Sequence, residues 1–192
     1  MSNILNTNPI LFTVENYLSA NQCNDIINYD WKWIDSTGYD HKTDSSKPTS
    51  IRDSFTAHVN YKQENLPLVI KDLNKNIGKF LKIDPSRCER PQLTKYNQMQ
   101  YYGPHWDYFF YGPNTSNNRV ATVIIYLNDD FIGGSTSFPN LNLSIRPQQG
   151  KLLYFDYNYN EQINGLTMHS ADVVMTGTKY IISVWIRQNP WP

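Results

Sequence analysis

Apolar and polar positions divide this chain into a first half that favours helices and a second half that favours strands. Helical spacing of apolar residues predicts helices at residues 19–29 and 65–81. The first begins with Ser19 and Gln22, which fit a capping box, and the second accepts Pro67 in its first turn. In the second, apolar side chains recur at intervals of three, four and seven residues, which is typical of an amphipathic helix packed on a core.

Beyond residue 84 the apolar positions alternate, and β-branched and aromatic residues become frequent, which favours strands separated by Gly, Pro and Asn turns. The predicted strands are 10–14, 54–60, 92–101, 104–109, 119–127, 143–146, 151–156, 166–175 with a break, and 179–188. The polar stretch 31–50 is predicted to be a loop. Many short strands beside two helices indicate an α+β fold, an antiparallel sandwich or jelly roll with both helices on one outer face.

Composition narrows the class of protein. The chain has 192 residues, 40% of them apolar, with 17 basic and 17 acidic side chains, which fits one domain spanning residues 1–192. A neutral balance without a Lys or Arg run disfavours a nucleic acid partner. No segment reaches the roughly 20 apolar residues of a membrane span, and the first residues do not fit a signal peptide, so we expect a cytoplasmic protein without a membrane partner. The two cysteines, Cys23 and Cys88, exclude a disulfide scaffold.

The sharpest chemical feature is the tripeptide His105-Trp106-Asp107 on a predicted strand. Side chains two residues apart project from the same strand face, so the imidazole and the carboxylate can converge while Trp106 faces away. The other histidines are His41, His58 and His169. His169 lies late in the sheet region, and two histidines with one carboxylate suit a non-heme Fe(II) site. Taken alone, an H-x-D pair is equally compatible with a structural or surface histidine.

A second feature is Lys179, at the start of a strand that is otherwise apolar and aromatic. A lysine in this position either extends its amine to the rim of the sheet or meets an anion inside the fold. An anionic cosubstrate beside a metal site is one such partner, because an ammonium is a good point charge for a carboxylate.

Further elements follow in a fixed order along the chain. They are Arg52-x-Ser54, Tyr96, Tyr102, His105-x-Asp107, Arg119-x-x-Thr122, Gly133-Gly134-x-Thr136, Pro147-x-x-Gly150, His169, Gly177-x-Lys179 and Trp185-x-Arg187. In this order and spacing, the segment from 92 to 187 resembles the catalytic core of the prolyl 4-hydroxylase type of Fe(II)/2-oxoglutarate dioxygenase. The resemblance implies a double-stranded β-helix, with a catalytic core at about 92–188 and iron at the mouth of the barrel.

The resemblance also implies roles for individual residues. The implied Fe(II) ligands are His105, Asp107 and His169. The implied partners of the distal carboxylate of 2-oxoglutarate are Lys179, with Tyr96 and Thr122 as hydrogen-bonding support. The residues implied to line the site of the peptidyl proline are Tyr102, Arg119 and Trp185. Without the resemblance, packing in the core or at the rim would account for Tyr102 and Trp185, and a surface cation at a strand end for Arg119.

Two positions depart from the family pattern. Ser135 stands where an acidic residue is usual, and Met99 replaces a common glycine between the two tyrosines. Both departures concern loop geometry and substrate selection rather than the metal ligands. In having lysine rather than arginine at position 179, the chain resembles the collagen-type and plant- or microbe-type branch of this family.

The expected activity is therefore hydroxylation of peptidyl proline to 4-hydroxyproline, with Fe(II), 2-oxoglutarate and O2 as implied cofactors, ascorbate as reductant, and succinate and CO2 released. The expected partner is a proline-containing peptide or protein, and the segments 31–50 and 108–118 are expected to form a lid over it. Two alternatives stay open: the same iron chemistry on another peptide residue, a free amino acid or a small molecule, and a non-catalytic jelly-roll binding module.

Overall fold

The structure is a computed structural model that describes residues 2–40, 45–47, 49–110, 112–157 and 165–192. The helices are α1 (Ala20–Ile27), α2 (Leu68–Lys71) and α3 (Leu73–Leu81), with 3-10 turns at Pro85–Arg87, Pro113–Asn117 and Pro139–Leu141. The strands before residue 60 are β1 (Ser2–Thr7), β2 (Ile10–Val14), β3 (Ile34–Asp35), β4 (Gly38–Asp40), β5 (Ser45–Lys47), β6 (Arg52–Asp53) and β7 (Phe55–His58).

The second half of the chain supplies the other strands. They are β8 (Gln92–Tyr96), β9 (Tyr101–His105), β10 (Arg119–Tyr126), β11 (Ile132–Gly133), β12 (Thr136–Phe138), β13 (Leu143–Ile145), β14 (Leu152–Asp156), β15 (His169–Ala171), β16 (Val174–Thr176) and β17 (Lys179–Arg187). They form an eight-stranded sheet in the order β1-β2-β14-β10-β17-β8-β7-β3 and a five-stranded sheet in the order β13-β12-β15-β9-β6. Two short pairs, β11-β16 and β4-β5, complete the described sheets.

Alternation along the central strands gives the larger sheet two apolar faces. On β10, Val123 and Ile125 pack against the helices, whereas Ile124 and Tyr126 join a second cluster with the smaller sheet. Residues of β17 divide in the same way, and Lys179 starts that strand. The two sheets therefore enclose an interior that is separate from the layer under the helices. The predicted α+β fold with a double-stranded β-helix is confirmed.

The single helix predicted at 65–81 is two helices in the structure, α2 and α3. Pro67 precedes α2 rather than lying within its first turn, and Asp72, at φ −97° and ψ 0°, separates α2 from α3. Ile70, Leu73 and Ile77 are nonetheless all fully buried in the cluster under the larger sheet. The period of the apolar residues thus survives the break, and the expected packing of the helices on one outer face is confirmed.

The helix predicted at 19–29 is confirmed as α1, and its capping box is formed. Ser19 Oγ accepts from the Gln22 amide, and Gln22 Oε1 accepts from the Ser19 amide, at 3.2 and 2.9 Å. Cys23 is buried on the inner face of this helix, and both cysteines are free thiols, as expected.

Two strand predictions and one loop prediction need correction. The strand predicted at 92–101 ends at Tyr96, because Met99 adopts φ +67° in a turn closed by the Gln100 amide on the Asn97 carbonyl. The strand predicted at 104–109 is instead β9, which ends at His105. The stretch predicted as a loop at 31–50 contains three short strands, β3, β4 and β5.

No helix in the described ranges is long and apolar enough to cross a membrane.

Gly150 lies in the turn before β14, and its carbonyl accepts from the Leu18 amide just before α1. We predict that Gly150→Ala lowers the free energy of unfolding by at least about 2 kcal/mol. Its φ is +77°, and a Cβ would lie 2.1 Å from the Leu18 carbonyl oxygen. The matched control is Gly165→Ala, because no described atom lies within 4 Å of that Cβ position. Urea denaturation of both variants measures the effect, and equal stability of the two would contradict it.

Candidate active site

The pairing of β9 with β15 places His105 directly opposite His169. The two imidazole centroids are 4.3 Å apart. Asp107 follows β9 by two residues, and its oxygens lie 3.7 Å from His105 Nε2 and 3.6 Å from His169 Nε2. All three offer a ligand atom within 4.8 Å of the others. The predicted triad therefore converges, although Asp107 is placed by the turn after the strand rather than by the strand itself.

Both histidines are held in one tautomer. His105 Nδ1 lies 2.9 Å from the Gly103 carbonyl oxygen and His169 Nδ1 lies 3.0 Å from the Thr167 carbonyl oxygen. Because a carbonyl only accepts, each Nδ1 carries the proton and donates it, which leaves the Nε2 lone pair free. Each Nε2 lies toward Asp107, so two imidazole nitrogens and one carboxylate form the donor set, which fits Fe(II).

Electrostatics keep these groups in the protonation states that a divalent cation requires. Burial and the neighbouring His169 imidazole lower the pKa of His105 to about 3. Burial alone would raise the pKa of Asp107, but the two imidazoles, Arg119 and the Thr122 hydroxyl outweigh it and hold that pKa below its ordinary value. The carboxylate is therefore ionised and His105 neutral at physiological pH.

Thr122 contacts the carboxylate of the predicted triad. Its Oγ1 donates to Asp107 Oδ2 at 2.7 Å and also contacts the Tyr157 hydroxyl. Tyr157 donates to the same carboxylate oxygen at 3.2 Å. Thr122 thus orients the Asp107 carboxylate, a contact that the sequence analysis did not predict, while its implied support for 2-oxoglutarate stays a prediction. The side chain of Tyr157 was not among the expected site residues.

Lys179 is 1% exposed, and no carboxylate of the described residues forms an ion pair with its amine. Its Nζ donates to the Gly134 carbonyl at 2.6 Å and lies 5.2 Å from the Tyr96 ring centroid. Burial lowers its pKa to about 7, against a small opposing effect of Asp172. A buried amine with this little compensation fits an anion as its partner.

Tyr96 stands opposite Lys179 across the β8–β17 pairing, as its predicted role requires. The tyrosine is 2% exposed, and burial raises the pKa of its hydroxyl to about 12, so it stays a neutral donor. Both side chains line the same inner chamber as His105, Asp107 and His169. The chamber thus connects the metal ligands to the buried amine.

The chamber opens into an outer groove of about 280 Å³. Tyr102 and Trp185 border both spaces, and the Tyr102 ring stacks on His105 with centroids 3.5 Å apart. The Arg52 guanidinium carbon lies 4.6 Å from the centroid of the Tyr102 ring. Ile34 and Phe109 line the groove farther out.

Arg119 is fixed at the groove wall by Glu89, a residue that the sequence analysis did not single out. Its Nε and Nη2 donate to the two oxygens of Glu89 at 2.7 and 2.9 Å. Its guanidinium lies 4.0 Å from the Trp185 centroid and 4.8 Å from that of Phe109. The expected substrate-lining set of Tyr102, Arg119 and Trp185 is therefore brought to one groove.

The remaining expectations concern residues outside this set. His58 is exposed and lines the outer groove, away from the metal ligands, and His41 lies outside the described residues. Of the expected lid, the residues that line the groove are Ile34, Asp35, Thr37, Tyr108 and Phe109, while parts of both segments lie outside the described residues. Met99, which replaces a common glycine, keeps the positive φ that a glycine would adopt.

The family model of the 2OG-Fe(II) oxygenase superfamily matches residues 91–187, which include all three residues of the predicted triad and Lys179. The chain belongs to this superfamily. The dioxygenase class and the Fe(II), 2-oxoglutarate and O2 cofactors follow from this membership, and the His-Asp-His set fits the iron.

Curated relatives of this oxygenase carry prolyl 4-hydroxylase names. "Probable prolyl 4-hydroxylase 3" of Arabidopsis thaliana is 28% identical over 95% of this chain and 71% of its own length. "Putative prolyl 4-hydroxylase" of Acanthamoeba polyphaga mimivirus is 27% identical over 92% of this chain and 74% of its own. The viral collagen prolyl hydroxylase of Paramecium Bursaria Chlorella virus-1, solved as a 2OG complex, superposes with a TM-score of 0.68 at 23% identity, covering 92% of this chain and 95% of that chain.

We predict that Lys179→Met stabilises the oxygenase when metal and 2-oxoglutarate are absent. The folded-state pKa of about 7 lies below the ordinary 10.5, so between these values the unfolded chain binds more protons and this group's contribution to stability rises with pH. Wild type is expected to gain about 1 kcal/mol per pH unit relative to the variant between pH 7.5 and 8.5, from urea denaturation. Parallel pH profiles of the two proteins would refute the assignment.

Tyr157→Phe is expected to weaken Fe(II) binding by the oxygenase about tenfold, because the Asp107 carboxylate loses one of its two orienting hydroxyls. Anaerobic calorimetry with Fe(II), or Co(II) as a spectroscopic substitute, measures the affinity. Tyr154→Phe is the matched control, since that ring stacks on Phe12 in the layer under the helices. An affinity equal to wild type would show that Tyr157 does not orient the ligand.

Proposed function

We propose that this oxygenase hydroxylates proline in a peptide or protein chain to 4-hydroxyproline, with 2-oxoglutarate converted to succinate and CO2. The names of the relatives support proline as the substrate. We also propose that residues 1–192 act as one catalytic domain with its core at about 92–188.

One observation carries the proposal: a buried amine and a His-Asp-His cluster line the same chamber, which opens into an aromatic groove. A binding module without catalysis needs neither the desolvated Lys179 nor the triad. Both are destabilising in isolation, because burial penalises each charge that has no partner. Their retention supports a chamber that receives an anionic cosubstrate and a metal.

The side chains suggest how the cosubstrate is held. His105, Asp107 and His169 would bind the iron, and Lys179 would bind the distal carboxylate of 2-oxoglutarate with Tyr96 donating beside it. When bound, the iron supplies activation of O2 and oxidation of an unactivated C–H bond. Binding of the dicarboxylate would restore the full charge of Lys179, since an adjacent carboxylate raises the pKa that burial lowers.

The groove side chains suit a peptide that presents proline. Tyr102 and Trp185 offer flat apolar faces at the chamber mouth, where a pyrrolidine ring packs well. The Trp185 indole Nε1 is buried without a hydrogen-bond partner among the described residues, so a peptide carbonyl is a fitting acceptor. Arg119 borders the same groove, and its Nη1, which donates one proton to the Asp107 carbonyl at 3.4 Å, has a second proton to donate. The groove therefore supplies ring contacts and donors for a polypeptide backbone.

The test combines cosubstrate turnover with product mapping. We expect succinate formation that requires Fe(II) and 2-oxoglutarate and rises when a proline-containing peptide is added. Tandem mass spectrometry should locate the added mass of one oxygen atom to a proline, and amino acid analysis against standards should identify the 4-isomer. His105→Ala should abolish turnover, and Lys179→Ala should raise the KM for 2-oxoglutarate at least about tenfold.

Arg146→Gln is the matched control, because that cation is exposed and lies outside the chamber and the groove. Its kinetics should equal those of wild type. Succinate formation without oxygen on any proline would overturn the assignment of substrate and favour another peptide residue, a free amino acid or a small molecule. No Fe(II)-dependent turnover with any substrate would overturn the oxygenase activity itself.

A further inference from the structure

Glu89 holds two guanidinium groups, of which only Arg119 borders the groove. The second is Arg187, whose Nε donates to Glu89 Oε1 at 2.5 Å, while Arg119 Nε donates to the same oxygen at 2.7 Å. Glu89 is itself fixed by its backbone, since its amide donates to the Trp185 carbonyl at 2.8 Å. The direction in which Arg119 points thus depends on a carboxylate that a second cation also holds.

Arg187 is in turn clamped between two aromatic rings. Its guanidinium carbon lies 4.1 Å from the Trp191 centroid and 5.0 Å from that of Phe109, and its side chain is 3% exposed. Nη1 donates to the Asn117 carbonyl at 2.8 Å. Burial lowers the pKa of Arg187, and the adjacent Glu89 opposes this effect only in part. Arg187 thereby joins Glu89, a groove residue and the segment after β17.

The segment after β17 is tied to the loop before β10 by main-chain contacts. The Asn189 amide donates to Asn117 Oδ1 at 2.8 Å, and the Gln188 amide donates to the Asn118 carbonyl at 2.9 Å. Asn118, which is 2% exposed, accepts from the Phe109 amide and donates to the Phe109 carbonyl. The Trp191 amide donates to the Ser86 carbonyl at 2.7 Å. Trp191 therefore sits at a fixed place against Arg187.

We propose that Arg187 is a positioning residue for the substrate groove and that Trp191 holds it in place. Arg187 acts through Glu89 on Arg119 and by direct contact on Phe109, so it sets the groove wall without touching the metal ligands. The same contacts tie residues 188–191 to the groove wall, although none of these residues lines the groove itself. The inference rests on the proposed function, since the groove is taken to receive the peptide.

The geometry distinguishes this role from that of a general cation. A lysine at 187 keeps the charge but cannot lie flat between Trp191 and Phe109 while donating to both Glu89 and Asn117. A phenylalanine at 191 keeps a flat face for the guanidinium, whereas an alanine removes it. Arg187→Lys, Arg187→Gln, Trp191→Phe and Trp191→Ala therefore form a graded series.

Peptide kinetics give the first test. Arg187→Gln should raise the peptide KM about tenfold, Arg187→Lys less, and Trp191→Ala about threefold, with Trp191→Phe within about twofold of wild type. The KM for 2-oxoglutarate and the slow succinate formation without peptide should stay within about twofold in all four. Arg146→Gln again serves as the exposed control.

A second test does not need peptide turnover. The Arg119 Nε proton, assigned by its loss in Arg119→Lys, should exchange with solvent slowly in wild type because Glu89 holds it. Its exchange rate by NMR should rise at least about tenfold in Arg187→Gln and less in Trp191→Ala. The exchange rate reports how firmly Glu89 holds Arg119 even if the wild-type protein hydroxylates no proline. Failure of the proposed function is therefore distinguished from failure of the inference.

Three outcomes would overturn the inference. An unchanged peptide KM in Arg187→Gln would show that Arg119 does not depend on Arg187. Parallel rises in the KM values for peptide and 2-oxoglutarate would indicate a structural role in the whole site. Unchanged exchange of the Arg119 proton would show that Glu89 holds Arg119 unaided.

Discussion

The antiparallel pairing of β9 with β15 is the constraint on which the active site depends. It sets His105 opposite His169. A slip of one residue would turn one imidazole to the other face of the sheet. The Gly103 and Thr167 carbonyls then fix the tautomers, and Thr122 and Tyr157 fix the third ligand from β10 and from the end of β14. Each later contact assumes that register, so the metal site is a property of strand pairing before it is a property of three residues.

The same sheets also bear the cost of the buried amine. Lys179 begins β17 and pairs with Tyr96 of β8, and from Ile181 onward the same strand also pairs with β10, so the strand is held on two sides just beyond the lysine. That rigidity lets the fold keep an amine whose pKa burial lowers to about 7. A mobile loop would turn the side chain to solvent instead, because exposure relieves the desolvation. Burying the Lys179 amine lowers the stability of the fold, and this cost is the condition for binding an anion there.

Local patterns predicted the parts of the structure that depend on local chemistry. β10 and β17 are runs of eight and nine residues rich in β-branched and aromatic side chains, and Ser19 caps α1, so both kinds of element were predictable. The break at Asp72 and the end of β9 at His105 were missed, because apolar spacing does not record where a backbone turns. The contact of Thr122 with the Tyr157 hydroxyl was missed for another reason: the two residues are 35 positions apart, and only the fold brings them together.

The groove shows most clearly why the sequence predicted the residues of the metal site but not the contacts that hold the groove wall. The triad includes two ligands that are two residues apart, whereas Glu89 meets Arg119 across 30 positions and Arg187 across 98. No periodicity links such residues. Because the wall is built from these distant ion pairs and the chamber from strand register, a pattern that reveals the triad carries no information about the wall. The folded protein nonetheless couples the two, since Arg119 donates to the Asp107 carbonyl and helps to hold the pKa of the Asp107 carboxyl below its ordinary value.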